Sequence, residues 1–196
     1  MPQKIVFLGT NGSGKTSTIN FIKNKLEQNG KTTEIYIMGW KDFKNPLLKL
    51  FSKIYLKSSF KKEEKDRLDR FKERSVFFYL IYYLELLTRY SEIKRLNSDF
   101  ILIDRYFYEE LMFTKGWKYK LFRKLTPIPD KAFVLEINSK KLASRGHNVS
   151  EENLKNFYLK LKNLSKDFTM HFIEVSDKSY EEIYKEIINK LKINER

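Results

Sequence analysis

The sequence predicts an α/β fold in which a parallel sheet is covered by helices on both faces. Short apolar runs alternate with amphipathic helical segments along the whole chain, as in sheets whose strands are joined by crossover helices. A glycine-rich segment also joins the first apolar run directly to the first helical segment. The length of 196 residues is that of one ordinary domain. We therefore expect a single three-layer sandwich over residues 1–196.

Five apolar runs predict the strands of this sheet. They lie at residues 5–8, 32–38, 100–103, 132–137 and 169–175. The run at 100–103 is continuous, as in strands buried on both faces of a parallel sheet. The run at 32–38 alternates, and this predicts that Ile35 and Ile37 face the core. Ligands should bind at the carboxyl ends of the strands.

Helical periodicity fills the segments between the strands. Helices are predicted after the first strand, with Ile19, Ile22 and Leu26 buried, and at residues 46–57, 62–96, 139–144 and 150–164. Residues 106–125 are predicted to be a helical or mixed segment that is interrupted near Gly116. The last helix should bury a face made of Tyr180, Ile183, Ile187 and Leu191. The stretch 76–87 is apolar on nearly every side, which predicts a buried central helix.

Residues 9–16 match the phosphate-binding loop pattern G-x-x-x-x-G-K-[ST], between a strand and a helix. Glycines let backbone N–H groups turn towards a phosphate chain, and the helix N-terminus adds its positive end. Lys15 supplies a charge for the terminal phosphates, and the Thr16 hydroxyl is the expected magnesium ligand. The loop predicts binding of ATP and Mg²⁺. The candidate contacts are Gly9, Thr10, Asn11, Gly12, Ser13, Gly14, Lys15, Thr16 and Ser17.

Asp104 and Arg105 follow the third strand directly. A carboxylate at this edge can reach magnesium opposite Thr16. An arginine beside it can clamp an acceptor phosphate through two parallel hydrogen bonds. The alternatives are an aspartate that caps the next turn and an arginine in a surface ion pair. The phosphate-binding loop favours the functional roles, because such a loop needs an acidic partner.

The order of these motifs along nearly the whole chain resembles that in the thymidylate kinases and related nucleoside monophosphate kinases. The loop is followed by Ile-Leu-Ile-Asp-Arg-Tyr at 101–106, which is similar to the Asp-Arg-Tyr motif of that family, and by a proline turn at 127–130. The resemblance implies a five-stranded P-loop kinase that transfers the γ-phosphate of ATP to a nucleoside monophosphate, with thymidine monophosphate as the expected acceptor. It also implies that Arg105 holds the acceptor phosphate, with Tyr106, Asn11 and Tyr79 as further substrate contacts.

Arg145 lies where the family places its arginine-bearing lid, here the segment 140–152. Charge on the transferring phosphoryl group needs a cation that arrives when the site closes. The phosphate-binding loop has no arginine, so we assign this catalytic role to Arg145, with Lys140 and Lys141 as alternatives. A solvent-facing arginine is the structural alternative. His147 is expected to be a loop residue, because transfer to a phosphate oxygen needs no general base.

Three departures from the family concern the acceptor. Asn11 stands where members that phosphorylate thymidylate usually carry a carboxylate, and Gly-Trp-Lys-Asp at 39–42 replaces an Arg-Glu-Pro segment. Residues 79–83 hold only aromatic and aliphatic side chains where the family brings an arginine. These aromatics either stack on a base or belong to the core. Two other functions stay open: a kinase of another anionic acceptor, such as a sugar or lipid-linked metabolite, and a nucleotide-dependent module that binds polyanions.

Composition limits the partners. The formal charge of +14 attracts polyanions, but the lysines are scattered, so we interpret them as solvated faces rather than a dedicated nucleic-acid or membrane patch. The absence of cysteine excludes disulfides, thiolate metal sites and a cysteine nucleophile. The apolar run at 76–84 is far shorter than the roughly 20 residues of a membrane span. We expect no signal peptide, because Met-Pro-Gln-Lys leads directly into the first predicted strand. We expect a cytoplasmic protein; a homodimer is one arrangement that the sequence leaves open.

Overall fold

The computed structural model of the protein describes residues 2–38, 49 and 76–191. In this part of the chain the strands are β1 (Gln3–Leu8), β2 (Thr33–Ile37), β3 (Phe100–Asp104), β4 (Lys131–Glu136) and β5 (His171–Glu174). The helices are α1 (Lys15–Gln28), α2 (Val76–Ile93), α3 (Tyr108–Leu111), α4 (Gly116–Leu125), α5 (Ser139–Ser144), α6 (Glu151–Leu164) and α7 (Tyr180–Leu191). The helix predicted over 46–57, apart from Lys49, and the first part of the one predicted over 62–96 lie outside the described residues.

The strands form one parallel sheet in the order β2-β3-β1-β4-β5. This confirms the predicted five-stranded parallel sheet of an α/β fold. Phe7 of β1 and Ile37 of β2 both lie opposite Asp104 of β3, so these three strands end at nearly the same level. The carboxyl edge therefore collects the segments that follow β1, β2 and β3.

The core contains the apolar faces that helical spacing predicts. In α1 the buried residues include Ile19, Ile22 and Leu26. In α6 and α7 they include Leu154, Phe157, Leu161, Leu164, Ile183, Ile187 and Leu191. The Ser150 side chain caps α6 by accepting a hydrogen bond from the backbone N–H of Asn153 at 3.2 Å. None of the helices in the described residues is long and apolar enough to cross a bilayer.

Two predicted core positions are wrong. Ile37 is 60% exposed, because β2 is an edge strand and Ile37 lies at its very end. Tyr180 is also exposed: it begins α7, and its ring stacks on Phe21 of α1 at a centroid distance of 5.9 Å instead of entering the core.

The central helix α2 is not buried on nearly every side. Among its described side chains, Leu80 and Leu84 are exposed, whereas Tyr83 and Leu86 are buried. The buried face also holds an ion pair, in which Arg89 Nε donates to Glu85 Oε1 at 2.8 Å. The described side chains of α2 therefore divide into a buried side and an exposed side, as in an ordinary amphipathic helix.

The starts of β2 and β3 are joined by a polar pair. The Asp99 carboxylate accepts hydrogen bonds from Thr32 N at 2.8 Å and Thr32 Oγ1 at 2.9 Å. The backbone N–H of Asp99 donates to Thr32 Oγ1 at 2.8 Å. These hydrogen bonds stabilise the ionised carboxylate and lower the pKa of Asp99 below its ordinary value of 3.8.

We predict that Asp99→Asn lowers the melting temperature at neutral pH and that this loss disappears in acid. Because the folded-state pKa is lowered, the charged carboxylate contributes stability above its ordinary pKa of 3.8 and loses it as the pH falls through the lowered value. Thermal melts of the two proteins across this range measure the difference. Asp177→Asn, in the exposed loop after β5, is the control. A melting difference that stays constant into strong acid would contradict the role of the charge.

Candidate active site

The phosphate-binding loop follows a path that requires glycine. Positive φ angles occur at Gly9 (147°), Gly12 (79°) and Gly14 (88°). A Cβ on Gly9 would lie 2.8 Å from Ser13 Oγ and 2.9 Å from Leu135 O. A Cβ on Gly12 would lie 2.3 Å from His147 Cδ2. The loop is therefore packed against β4 on one side and against the loop after α5 on the other, and it ends at the N-terminus of α1.

Lys15 is held inside this loop. Its side chain is only 6% exposed, and Nζ donates to Gly9 O at 2.9 Å and to Thr10 O at 2.7 Å. The two carbonyls fix the ammonium group at the mouth of α1. A cation in this position, beside the first N–H groups of a helix, suits the phosphates of a nucleotide.

Thr16 and Asp104 form the candidate magnesium site. Thr16 Oγ1 donates to Asp104 Oδ2 at 3.2 Å. The other carboxylate oxygen, Oδ1, is buried and has no hydrogen-bond partner among the described residues. A hydroxyl and a carboxylate with an unused oxygen fit Mg²⁺, which is commonly held by one or two protein groups together with phosphate oxygens and water. The described residues contain no larger cluster of metal-ligating side chains.

Arg105 takes a strained backbone conformation directly after β3. Its φ of 70° makes it the one residue other than glycine with positive φ in the described chain, and its N–H donates to Phe7 O at 3.0 Å. The guanidinium has two described side-chain partners. Nη1 donates to Glu109 Oε2 at 2.8 Å, and Nη2 donates to Asn11 Oδ1 at 2.6 Å. Arg105 thus links the phosphate-binding loop to α3.

Arg145 and His147 approach the same loop from the segment after α5. Arg145 Nη1 donates to Gly12 O at 2.7 Å, so the arginine already contacts the loop in this structure. His147 lies in the non-helical segment 147–150, as predicted, and covers Gly12.

These side chains surround one cavity of about 510 Å³. It is lined by Asn11, Gly12, Gly14, Lys15, Thr16, Ser17, Asp104, Arg105, Arg145, His147 and Tyr180. Three of these residues are basic, Lys15, Arg105 and Arg145, and one, Asp104, is an acid. A cavity with this excess of positive charge favours a polyanionic ligand.

Several predicted site residues do not reach the cavity. Tyr106 is buried in the core, where its hydroxyl donates to Pro127 O at 3.0 Å. The prediction that it contacts substrate does not fit this position. Lys140 and Lys141 are exposed on α5 and do not line the cavity. Tyr79 lies in α2, but its side chain, like the segment 39–42, lies outside the described residues.

Sequence reasoning missed two features of the site and one of the central helix. Tyr180 lines the cavity although it was expected in the core. Glu109 orients Arg105, and its spacing of four residues after that arginine on a helical stretch was the available signal. The central helix does carry an arginine, Arg89, beyond the segment 79–83, and its spacing from Glu85 in an otherwise apolar helix marked the pair.

Comparison with known proteins identifies the fold of the chain that carries this site. No family profile and no curated protein matches the sequence. Among solved structures, the chain is similar to thymidylate kinase from Candida albicans, with TM-score 0.60 and 19% identity over 98% of this chain and 95% of that one. It is also similar to thymidylate kinase from Ehrlichia chaffeensis, with TM-score 0.56 and 14% identity over 97% and 98%.

A third similar structure is deoxyadenosine kinase from M. mycoides with bound dATP, with TM-score 0.52 and 19% identity over 97% of this chain and 100% of that one. The chain therefore has the P-loop α/β fold found in these nucleotide and nucleoside kinases. At these identities the likeness concerns the fold, so the reaction must be argued from the site itself.

Proposed function

We propose that the protein is a kinase that transfers the γ-phosphoryl group of ATP to the phosphate of a nucleoside monophosphate. One observation carries this proposal: Lys15, Thr16, Asp104, Arg105 and Arg145 converge on one cationic cavity at the phosphate-binding loop. Phosphoryl transfer depends on positioning and on charge stabilisation rather than on covalent chemistry by the protein. The groups gathered here supply both.

Each group has a distinct role in the proposed reaction. The loop N–H groups and Lys15 hold the ATP phosphates, and Thr16 and Asp104 hold magnesium. Magnesium, when bound, neutralises charge on the β- and γ-phosphates. An oxygen of the acceptor phosphate attacks the γ-phosphorus, the bond from that phosphorus to the bridging oxygen breaks, and ADP leaves. Arg105 holds the acceptor phosphate, and Arg145 offsets the charge on the transferring group.

The segment 140–152 serves as the lid in this proposal. It carries Arg145 and His147, both of which contact the phosphate-binding loop. The exposed ring of Tyr180 lines the same cavity and offers an apolar face on which the adenine can stack. The setting that we propose for this reaction is the cytoplasm, where ATP is available.

The acceptor site should discriminate weakly. Asn11 Oδ1 already accepts a hydrogen bond from Arg105 at 2.6 Å, so this amide is not a dedicated partner for a sugar hydroxyl. The structural neighbour from Candida albicans is described as a thymidylate kinase with broad substrate specificity. We propose that thymidine monophosphate is accepted together with other monophosphates. Because the hydrogen bond from Arg105 occupies Asn11 Oδ1, Asn11 gives the site no dedicated group for a sugar hydroxyl. The same observation favours the second candidate, a kinase of another anionic acceptor.

The decisive measurement is ADP release with a panel of acceptors. We expect turnover with thymidine, deoxyuridine and ribonucleoside monophosphates, within about tenfold to a hundredfold of one another, because one missing charge-assisted contact costs on the order of 1.5 to 3 kcal/mol. Lys15→Ala should abolish turnover with every acceptor. The variant should still fold, with a lower melting temperature, because it removes the donor to the Gly9 and Thr10 carbonyls.

Three results would redirect the proposal. Exclusive use of thymidine monophosphate would contradict a relaxed acceptor site. Turnover with a sugar or lipid-linked anion alone would establish the second candidate. Tight polyanion binding without any phosphoryl transfer would support a nucleotide-dependent binding module instead.

Arg145→Ala should lower kcat while leaving the Kd for ATP nearly unchanged. An arginine that stabilises the transferring phosphoryl group contributes about 10³ to 10⁵ to kcat. Single-turnover kinetics and nucleotide titration measure the two quantities separately. Lys140→Ala, on the exposed face of α5, is the matched control and should behave as wild type. An unaffected rate in the Arg145 variant would assign the catalytic cation to another residue.

Glu109→Gln should raise the KM for the acceptor about tenfold and leave the KM for ATP unchanged, because it weakens one charge-assisted bond to Arg105. Glu152→Gln, an exposed glutamate in the first turn of α6, is the control. Steady-state kinetics with both substrates varied provide the measurement. If the acceptor KM fell instead, Glu109 would compete with the acceptor for Arg105 rather than orient it.

A further inference from the structure

Helix α4 exposes an apolar stripe to solvent. Within its ten residues, all of them described, Phe122 is the one buried side chain. Trp117, Leu121 and Leu125 are 60%, 40% and 46% exposed. Their spacing of four residues places them on one side of the helix. Ile128, shortly after the helix, is 74% exposed and extends the apolar surface.

The helix is nevertheless firmly attached to the fold. The ring of Phe122 stacks on Tyr83 of α2 at a centroid distance of 4.5 Å, and the Tyr83 hydroxyl donates to Phe122 O at 2.6 Å. Beyond the helix, Tyr106 binds Pro127 O. The stripe is therefore a fixed surface feature of a packed helix.

The charge around this stripe has one sign. The segment 115–126 contains five cations and no acidic residue, and the cations are Lys115, Lys118, Lys120, Arg123 and Lys124. Arg123 pairs with Asp167 at 2.9 Å. Lys120 and Lys124 are exposed and lie close to the stripe along the helix. The chain as a whole carries a net charge of +14, which attracts anionic surfaces from a distance.

We propose that α4 docks the protein peripherally on an anionic phospholipid surface. An apolar stripe bordered by lysines is the pattern of helices that lie in the membrane interface, with the apolar side chains among the acyl chains and the lysines at the headgroups. An exposed tryptophan at the start of the stripe suits the same interface. Nucleic acid fits less well, because Trp117 is the one exposed ring among the four apolar side chains, and the other three are aliphatic and cannot stack on a base.

This inference does not depend on the proposed kinase activity. No residue of the stripe lines the cavity. Docking can therefore be measured with variants that keep the site intact, and loss of docking can be told apart from loss of catalysis.

The test is flotation with vesicles of phosphatidylcholine alone and of phosphatidylcholine mixed with phosphatidylglycerol. We expect the full chain to float with the anionic vesicles only, and less so at high salt. The sequence has two tryptophans, so Trp40→Phe leaves Trp117 as the single reporter. Its emission should shift to shorter wavelength on the anionic vesicles.

Matched variants distinguish vesicle binding through the stripe from general electrostatic attraction. Leu121→Ser and Leu125→Ser should each weaken vesicle binding about tenfold. Leu84→Ser and Leu159→Ser, at leucines that are 49% and 54% exposed elsewhere, should leave it unchanged. The pair Lys120→Glu and Lys124→Glu should abolish binding, whereas Lys155→Glu and Lys166→Glu on and after α6 should not.

Several outcomes would overturn the proposal. Equal loss in the stripe and control variants would mean nonspecific attraction, as would vesicle binding with unchanged Trp117 emission. A stable dimer that dissociates in Leu121→Ser would assign the stripe to a second copy of the chain. Binding of nucleic acid without binding of vesicles would assign the lysines to that partner. Melting temperatures of all variants confirm that each is folded.

Discussion

The candidate site depends on the parallel pairing of β1 with β3. This pairing sets Phe7 opposite Asp104, so the phosphate-binding loop and the acidic residue leave the sheet at the same level. Thr16, at the start of α1, then lies 3.2 Å from Asp104. A slip of one residue would turn Asp104 to the other face of the sheet. Both strands are fully buried, from Ile5 to Leu8 and from Ile101 to Ile103. The slip is therefore unfavourable, because the slipped register would place the Asp104 carboxylate in an apolar environment.

The two adjacent charges of Asp104 and Arg105 contact different partners. Asp104 faces Thr16 on α1, whereas Arg105 faces Asn11 and Glu109. Arg105 has a positive φ, a conformation that costs about 1 to 3 kcal/mol for a residue with a side chain. The bond from Arg105 N to Phe7 O and the two side-chain partners offset that cost. Strain of this kind is tolerated where the orientation of a side chain matters for function.

The local features of this protein could be predicted from its sequence, and the features set by distant neighbours could not. The phosphate-binding loop and the strands at 5–8 and 100–103 depend on contiguous residues, so their patterns are explicit. The Asp-Arg-Tyr motif predicted that Tyr106 would accompany Arg105 at the substrate. The turn at Arg105 instead sends Tyr106 into the aromatic core, where its ring lies 5.0 Å from that of Phe107. The roles of Glu109 and Tyr180 depend on Arg105 and on the cavity, neither of which is local to them in sequence.

The positive charge of the chain acts in two different ways. The cavity cations are oriented before any ligand arrives: Lys15 is held by Gly9 and Thr10 carbonyls, and Arg145 by the Gly12 carbonyl. In general, groups that are oriented before a ligand binds stabilise developing charge most effectively. The exposed lysines of α4 are not fixed in this way, so their effect depends on their number and is screened by salt. The composition alone gives one net charge of +14, and only the fold separates the cations that line the cavity from those that are exposed on α4.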